Sequence, residues 1–95
     1  MTTQRYGDFE WDEAKAKTNL LKHGVSFEEA LTAFADSFAI DAPDRYMPGR
    51  FVLIGRSARG QILFVVYTEQ EDRVRLISAR TTSPVQRRKY EEGLE

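Results

Sequence analysis

WDEAKAKTNLLKHGVSFEEA, residues 11–30, spells two helices and the turn that joins them. Asp12 is a good N-cap for a helix over 12–23, and Gly24 supplies the left-handed residue that ends it. That helix offers Ala14, Leu20 and Leu21 to a core. Ser26 and Glu29 then have the S-x-x-E spacing of a capping box opening a second helix. In this second helix Phe27, Ala30, Leu31, Phe34 and Ala35 fall at i, i+3, i+4, i+7 and i+8, a full apolar stripe. The chain's one histidine, His23, sits at the joint beside Lys22.

Working outward, residues 1–7 read as a frayed arm and Asp8 to Trp11 as a short leading strand. After the helix pair the period changes. Phe38 to Asp41 has the look of a short strand, and 42–49, with two prolines and a glycine, of a loop. Three longer strands follow over 50–57, 61–69 and 72–80, joined by connections short enough for hairpins, which makes them antiparallel neighbours. The middle one, Ile62-Leu63-Phe64-Val65-Val66-Tyr67, is apolar on both faces, as a central strand covered twice would be. Ser83-Pro84-Val85-Gln86 opens a last helix with an N-cap, a first-turn proline and a capping-box glutamine. The order predicts an α+β domain over 1–95, with two N-terminal helices packed on an antiparallel sheet and a C-terminal helix.

Composition narrows the class. Ninety-five residues with 41% apolar content and eleven aromatics suit one folded domain that buries roughly 60–65% of its unfolded surface. With no cysteine there are no disulfides and no thiolate metal sites, which suits a reducing cytoplasm. The longest apolar run, Ile62 to Tyr67, is too short to span a bilayer, and the first residues lack a signal peptide's apolar stretch. A cytoplasmic location with no membrane partner is the expectation. Net charge is −1, but residues 1–49 hold five Lys/Arg and nine Asp/Glu, whereas 50–90 hold nine and three. A near-neutral chain with one basic block can present a local positive surface to phosphates, although arginines on an exposed sheet can also do no more than solvate it.

Conventional catalytic equipment is missing. There is no cysteine nucleophile, no phosphate-cradling glycine loop, no nucleophile elbow and no second histidine to share a metal, so no cofactor is expected. Arginine is what remains. On the last strand Arg73 and Arg75 share one face by alternation, while Val74, Leu76, Ser78 and Arg80 share the other. Arg80 and Arg56 thus each end an apolar face, where an unpaired charge is costly; each meets a carboxylate, such as Asp12 or Glu29, or lines the mouth of a cleft. Arginine makes two charge-assisted hydrogen bonds to a phosphate, and histidine, with an ordinary pKa near 6.5, transfers protons. Lys22 and His23 could serve such chemistry, and a Lys-His-Gly helix end is equally ordinary capping. Tyr67 could stack on a base or pack in the core. In the last helix Arg87, Arg88 and Lys89 occupy the first turns and Glu91 and Glu92 the end, the reverse of what the helix dipole favours, which leaves phosphate or partner contact as a cause.

The 11–30 run, with Ile54-Gly55-Arg56-Ser57, Val66-Tyr67-Thr68 and Arg75-Leu76-Ile77-Ser78-Ala79-Arg80, resembles the BrnT family of bacterial ribonuclease toxins from type II toxin–antitoxin pairs. The resemblance covers residues 9–92, with Glu13 standing where many relatives have proline. It implies a RelE-like fold and RNA cleavage without a metal, acting on translation. It also implies a cognate antitoxin, a BrnA-like ribbon-helix-helix protein whose dimer builds a larger complex. With the residue chemistry above, which the resemblance tips towards a cleft, the expected catalytic set is His23, Arg56, Arg80 and Lys22. The expected RNA-binding set is Arg75, Arg87, Arg88, Lys89 and Tyr67. Two other readings compete: a non-catalytic protein- or RNA-binding module on the same fold, and a small metal-independent enzyme acting on an unrelated substrate.

Overall fold

The computed structural model describes residues 2–94. Strands β1 (Thr3–Tyr6) and β2 (Phe9–Asp12) lead into helices α1 (Glu13–His23) and α2 (Phe27–Thr32), and a single 3-10 turn follows at Ala33–Ala35. Then come β3 (Ile40–Pro43), β4 (Arg50–Arg56), β5 (Ile62–Gln70), β6 (Arg73–Thr81) and α3 (Pro84–Glu92). The six strands form one sheet in the order β1-β2-β6-β5-β4-β3.

The hairpins β4–β5 and β5–β6 are antiparallel neighbours, with β5 between them, as the short connections required. The sheet as a whole is mixed, because β2 pairs with β6 in parallel through Phe9↔Val74 and Glu10↔Arg75. A parallel neighbour needs a crossover, and here α1, α2 and three strands supply it. Thr3–Tyr6 is no frayed arm. It pairs antiparallel with β2, and Tyr6 stacks on Trp11 at 4.9 Å. Met1 lies outside the described residues. The early strand falls at Ile40–Pro43, not Phe38–Asp41, because the Asp36 carboxylate caps the Phe38 amide (2.9 Å) and holds that segment in a turn.

The main core lies between one sheet face and the N-terminal helices: Trp11, Val25, Phe27, Ala30 and Ala33 meet Leu53, Leu63, Val65, Tyr67, Leu76 and Ala79. After α2 the chain tightens into 3-10 geometry, so the fully buried stripe runs Phe27, Ala30, Ala33, and Ala35 is exposed. Gly55 permits that approach: a Cβ there would lie 2.9 Å from the Ala33 carbonyl oxygen. In α1 none of the three expected core residues is buried: Ala14 is exposed, Leu20 and Leu21 are 50% and 87% exposed, and the buried residue is Asn19.

β6 also departs from simple alternation. Val66 pairs with Ser78 but Tyr67 pairs with Leu76, so Ile77 is an extra residue and a bulge. The bulge flips the phase. Val74, Leu76 and Ala79 face the main core, whereas Arg73, Arg75, Ser78 and Arg80 share the other face. On that second face α3 packs through Tyr90 on Ile54 and Ile62.

Candidate functional site

The caps fix α1 where the sequence places them. The Asp12 carboxylate accepts from the Lys15 amide (3.1 Å), and Gly24, at φ 70°, donates to the Leu20 carbonyl (2.9 Å). Lys15, Thr18, Asn19 and Lys22 recur at helical spacing on one face, and Asn19 ties that face to β6. Its amide donates to the Ala79 carbonyl (2.7 Å) and accepts from the Ala79 amide (3.0 Å). A groove of about 400 Å3 runs between this face and the β6 bulge, lined by Asp12, Ala14, Lys15, Thr18, Asn19, Lys22, His23, Ile77 and Ser78. Three basic or protonatable side chains share it with one buried carboxylate, Asp12, which is engaged in capping.

Arg80 is the next residue after Ser78 on the same face of β6, one strand repeat of about 7 Å farther. Its guanidinium lies over the Phe64 ring (4.3 Å) and donates to Gln86 Oε1 (3.1 Å). That glutamine oxygen also accepts from the Ser83 amide (2.9 Å), which completes the α3 capping box. Arg56 lies on the same sheet face, since it pairs with Ile62 as Arg80 pairs with Phe64. The two are two strands and one residue pair apart, about 12 Å between Cα atoms by sheet spacing. Arg56 sits beside Tyr90, toward the other end of α3. The two arginines therefore share a face but not a point.

A second polar cluster surrounds Arg56. Asp36 accepts from the Arg56 amide (2.8 Å) and from the Tyr90 hydroxyl (2.5 Å). Burial works to raise the Asp36 carboxyl. The Tyr90 hydroxyl, the Arg56 and Phe38 amides and the Arg56 charge overcome it and hold the group below its ordinary value. Burial first, and then the bond to Asp36, push the Tyr90 phenol up.

The other expected residues divide between surface and scaffold. Arg88 and Lys89 are exposed on α3, and Arg87 pairs with Glu91 at 3.5 Å. Arg75 donates to Glu10 (2.6 Å), a buried carboxylate that also draws Arg73 (3.9 Å) and Arg5 (4.0 Å). Tyr67 is 2% exposed, stacks on Phe51, and donates its hydroxyl to Asp41 (2.6 Å). Burial, helped by that bond, raises its phenol far above the ordinary tyrosine value. Neither Asp12 nor Glu29 pairs with Arg56 or Arg80; Glu29 instead accepts from Ser57 Oγ (2.8 Å), leaving only the Ser26 half of the expected capping box. Sequence reasoning missed Asn19, Glu10 and Asp36. For Asn19 a signal existed, since asparagine is a poor residue for a helix interior.

Comparison with known proteins agrees with this architecture. The profile of the ribonuclease toxin BrnT of type II toxin–antitoxin systems matches residues 11–85. The chain belongs to the BrnT family. Among solved structures it is similar to the ribonuclease toxin BrnT of Brucella abortus, with 28% identity and a TM-score of 0.64 over 77% of this chain and 92% of that one. Among curated proteins no sequence match is found. The BrnT match takes in the α1 groove, Arg56 and Arg80, and it leaves out β1 and all but the first two residues of α3. Membership in a type II toxin–antitoxin family brings an antitoxin partner with it. Among the described residues no helix is long and apolar enough to cross a membrane.

Proposed function

We propose that this chain is an active endoribonuclease that cleaves RNA without a metal, arrests translation in the cytoplasm, and is held in check by a ribbon-helix-helix antitoxin whose dimer builds the larger complex. The fold proposed for it is RelE-like. One observation carries the catalytic reading: His23 and Lys22 line the same groove as Ser78, and Arg80 follows two residues later along β6.

The chemistry needs three things. The 2′-hydroxyl must lose its proton while aligned with phosphorus, the phosphoryl oxygens must be stabilised as charge develops, and the departing 5′-oxygen must gain a proton. His23 takes the 2′-hydroxyl proton, solvent water protonates the departing 5′-oxygen, and Lys22 and Arg80 stabilise the phosphoryl oxygens. Arg56, about 12 Å from Arg80, holds a neighbouring phosphate of the same strand. Arg87, Arg88 and Lys89 extend the phosphate track along α3. Arg75 and Tyr67 are assigned to the scaffold, because the first is committed to Glu10 and the second is buried against Phe51.

The test is cleavage of single-stranded RNA by the purified chain in excess chelator. The expected result is fragments ending in a 2′,3′-cyclic phosphate and a 5′-hydroxyl. Cleavage that chelator abolishes and magnesium restores would overturn metal independence. A chain that binds RNA or antitoxin but leaves RNA intact in all conditions is the non-catalytic module.

A further inference from the structure

The second face of the sheet is only partly covered. Beside α3 lies a groove of about 520 Å3, floored by Ile40, Val52, Ile54 and Phe64. Its two banks each carry a large apolar side chain standing in water: Tyr46, 80% exposed, after β3, and Val85, 76% exposed, in the first turn of α3. Single exposed apolar residues are ordinary. Two of them facing each other across an apolar floor make a contiguous patch of the kind that marks an interaction site.

Charge narrows the occupant. Arg45 and Lys89 line the banks, and the Arg80 guanidinium lies over Phe64 of the floor and donates to Gln86 of the lining. The lining includes one carboxylate, Asp44, and it is turned onto its own loop, accepting from the amides of Tyr46 (2.8 Å) and Met47 (3.3 Å). An apolar floor inside a cationic rim is the complement of an amphipathic helix with carboxylates flanking its apolar stripe. Apart from Phe64 the floor is aliphatic, which fits protein side chains better than stacked bases, whose binding relies on aromatic platforms.

We infer that the antitoxin docks in this groove, laying the apolar face of a helix between α3 and the Asp44–Tyr46 segment and setting its carboxylates against Arg45, Lys89 and Arg80. That an antitoxin exists follows from family membership. The inference rests on the ribonuclease reading only for its consequence: a helix in the groove covers Arg80 and Lys89, so docking and RNA binding exclude each other.

The experiment titrates the antitoxin encoded beside this gene against the full chain and against two variants. Tyr46→Ala combined with Val85→Ser removes both anchors, each worth about tenfold or more, and should weaken binding about 100-fold. Arg45→Glu should slow association and flatten its dependence on salt. Both variants should cleave RNA at the wild-type rate when free. Hydrogen exchange on the wild-type complex should show protection at Ile40–Pro43, the following turn and the first turns of α3. Unchanged affinity in the double variant, or protection confined to α1, overturns the proposal. Normal antitoxin binding with abolished RNA cleavage would make the groove an RNA surface. If the wild-type chain leaves RNA intact while the double variant still fails to bind the antitoxin, the ribonuclease reading fails and the docking site stands.

Discussion

Asn19 on α1 holds both backbone groups of Ala79 on β6, donating to the carbonyl at 2.7 Å and accepting from the amide at 3.0 Å. A neighbouring strand would make the same pair of bonds. β2 pairs with β6 only as far as Glu10↔Arg75, and farther along β6 the backbone of Ala79, a fully buried residue, meets α1 instead of a strand. Buried backbone groups must find partners, and here one side-chain amide extends the sheet where the strand has ended. The same pair of bonds sets the distance between α1 and β6, and so the width of the groove that holds His23.

Asn19→Ala should therefore be costly. It strands the amide and carbonyl of Ala79, together with the Val25 carbonyl that Asn19 also reaches at 2.9 Å. Unsatisfied buried groups typically cost about 1–3 kcal/mol each, less what relaxation and water recover, so a loss of about 2–4 kcal/mol is expected in denaturant unfolding. Asn19→Asp should be destabilising as well, because it keeps one acceptor but sets a carboxylate against two carbonyl oxygens. A loss within about 0.5 kcal/mol for the alanine variant would show that water replaces the amide without penalty.

Alkaline stability should report the two buried phenols. Burial and a carboxylate partner raise Tyr67 and Tyr90 above the ordinary tyrosine value. A raised folded-state pKa means that the stabilising contribution is complete below about pH 10, the unfolded value, and falls as pH climbs above it. The melting temperature should drop above pH 10 more steeply in wild type than in Tyr67→Phe combined with Tyr90→Phe. Asp36 works in the opposite sense. Its lowered pKa gives stability that is present above its unfolded value near 4 and is lost as pH falls below it. Tyr90→Phe should shrink that acid limb too, since the Tyr90 hydroxyl is one cause of the shift. Parallel melting curves in wild type and variants at both extremes would refute these assignments.

Gly55 offers a test of how the 3-10 turn meets the sheet. An alanine Cβ at this position would come 2.9 Å from the Ala33 carbonyl oxygen and 3.1 Å from the Ala39 Cβ. The nearest obstacle is backbone, so the turn must move, and overpacking of this kind costs about 1–3 kcal/mol. Because Asp36 follows directly after the turn, Gly55→Ala should also loosen the Tyr90 bond and α3. Exchange at the α3 amides should rise with the loss of stability, whereas loss of stability without that rise would leave α3 independent of the turn.

What was legible in the sequence was what local chemistry decides. Gly24 and Ser26 mark their helix boundaries, Ser83 and Gln86 form their box, and the two short connections produce hairpins. Relations between distant residues were not legible. Glu29 completes no box because Ser57, 28 residues away, takes its carboxylate. The mixed sheet depends on where β2 lands after the chain has crossed over, and nothing within β2 encodes that. The bulge at Ile77 shifts alternation by one residue, which moves Arg80 away from Leu76's face and beside Phe64. Leu20 and Leu21 misled because the buried side of α1 is claimed by a polar residue with a specific bonding task. The site shares this limit, since residue types suggest arginine and histidine chemistry while the fold alone places His23 in the α1 groove and Arg80 over Phe64 beside α3.

Binding and cleavage should separate by element. Neutralising Arg87, Arg88 and Lys89 should weaken RNA affinity and flatten its salt dependence, by a slope of about 0.7 for each phosphate that a cation no longer neutralises on a single strand. Arg88 and Lys89 should account for most of the change, because Arg87 is already shared with Glu91. His23→Ala should leave affinity nearly intact and slow cleavage on the order of 10²–10⁴-fold, since a proton-transfer group acts chiefly in the transition state. His23 is exposed at a helix end whose capping bond comes from the Gly24 backbone, so the variant should fold normally and its rate can be read directly. Wild-type cleavage by His23→Ala would return the histidine to helix termination. A neutralised α3 that binds RNA unchanged but no longer binds the antitoxin would make those three cations a protein-docking rim, continuous through Lys89 with the groove on the second sheet face.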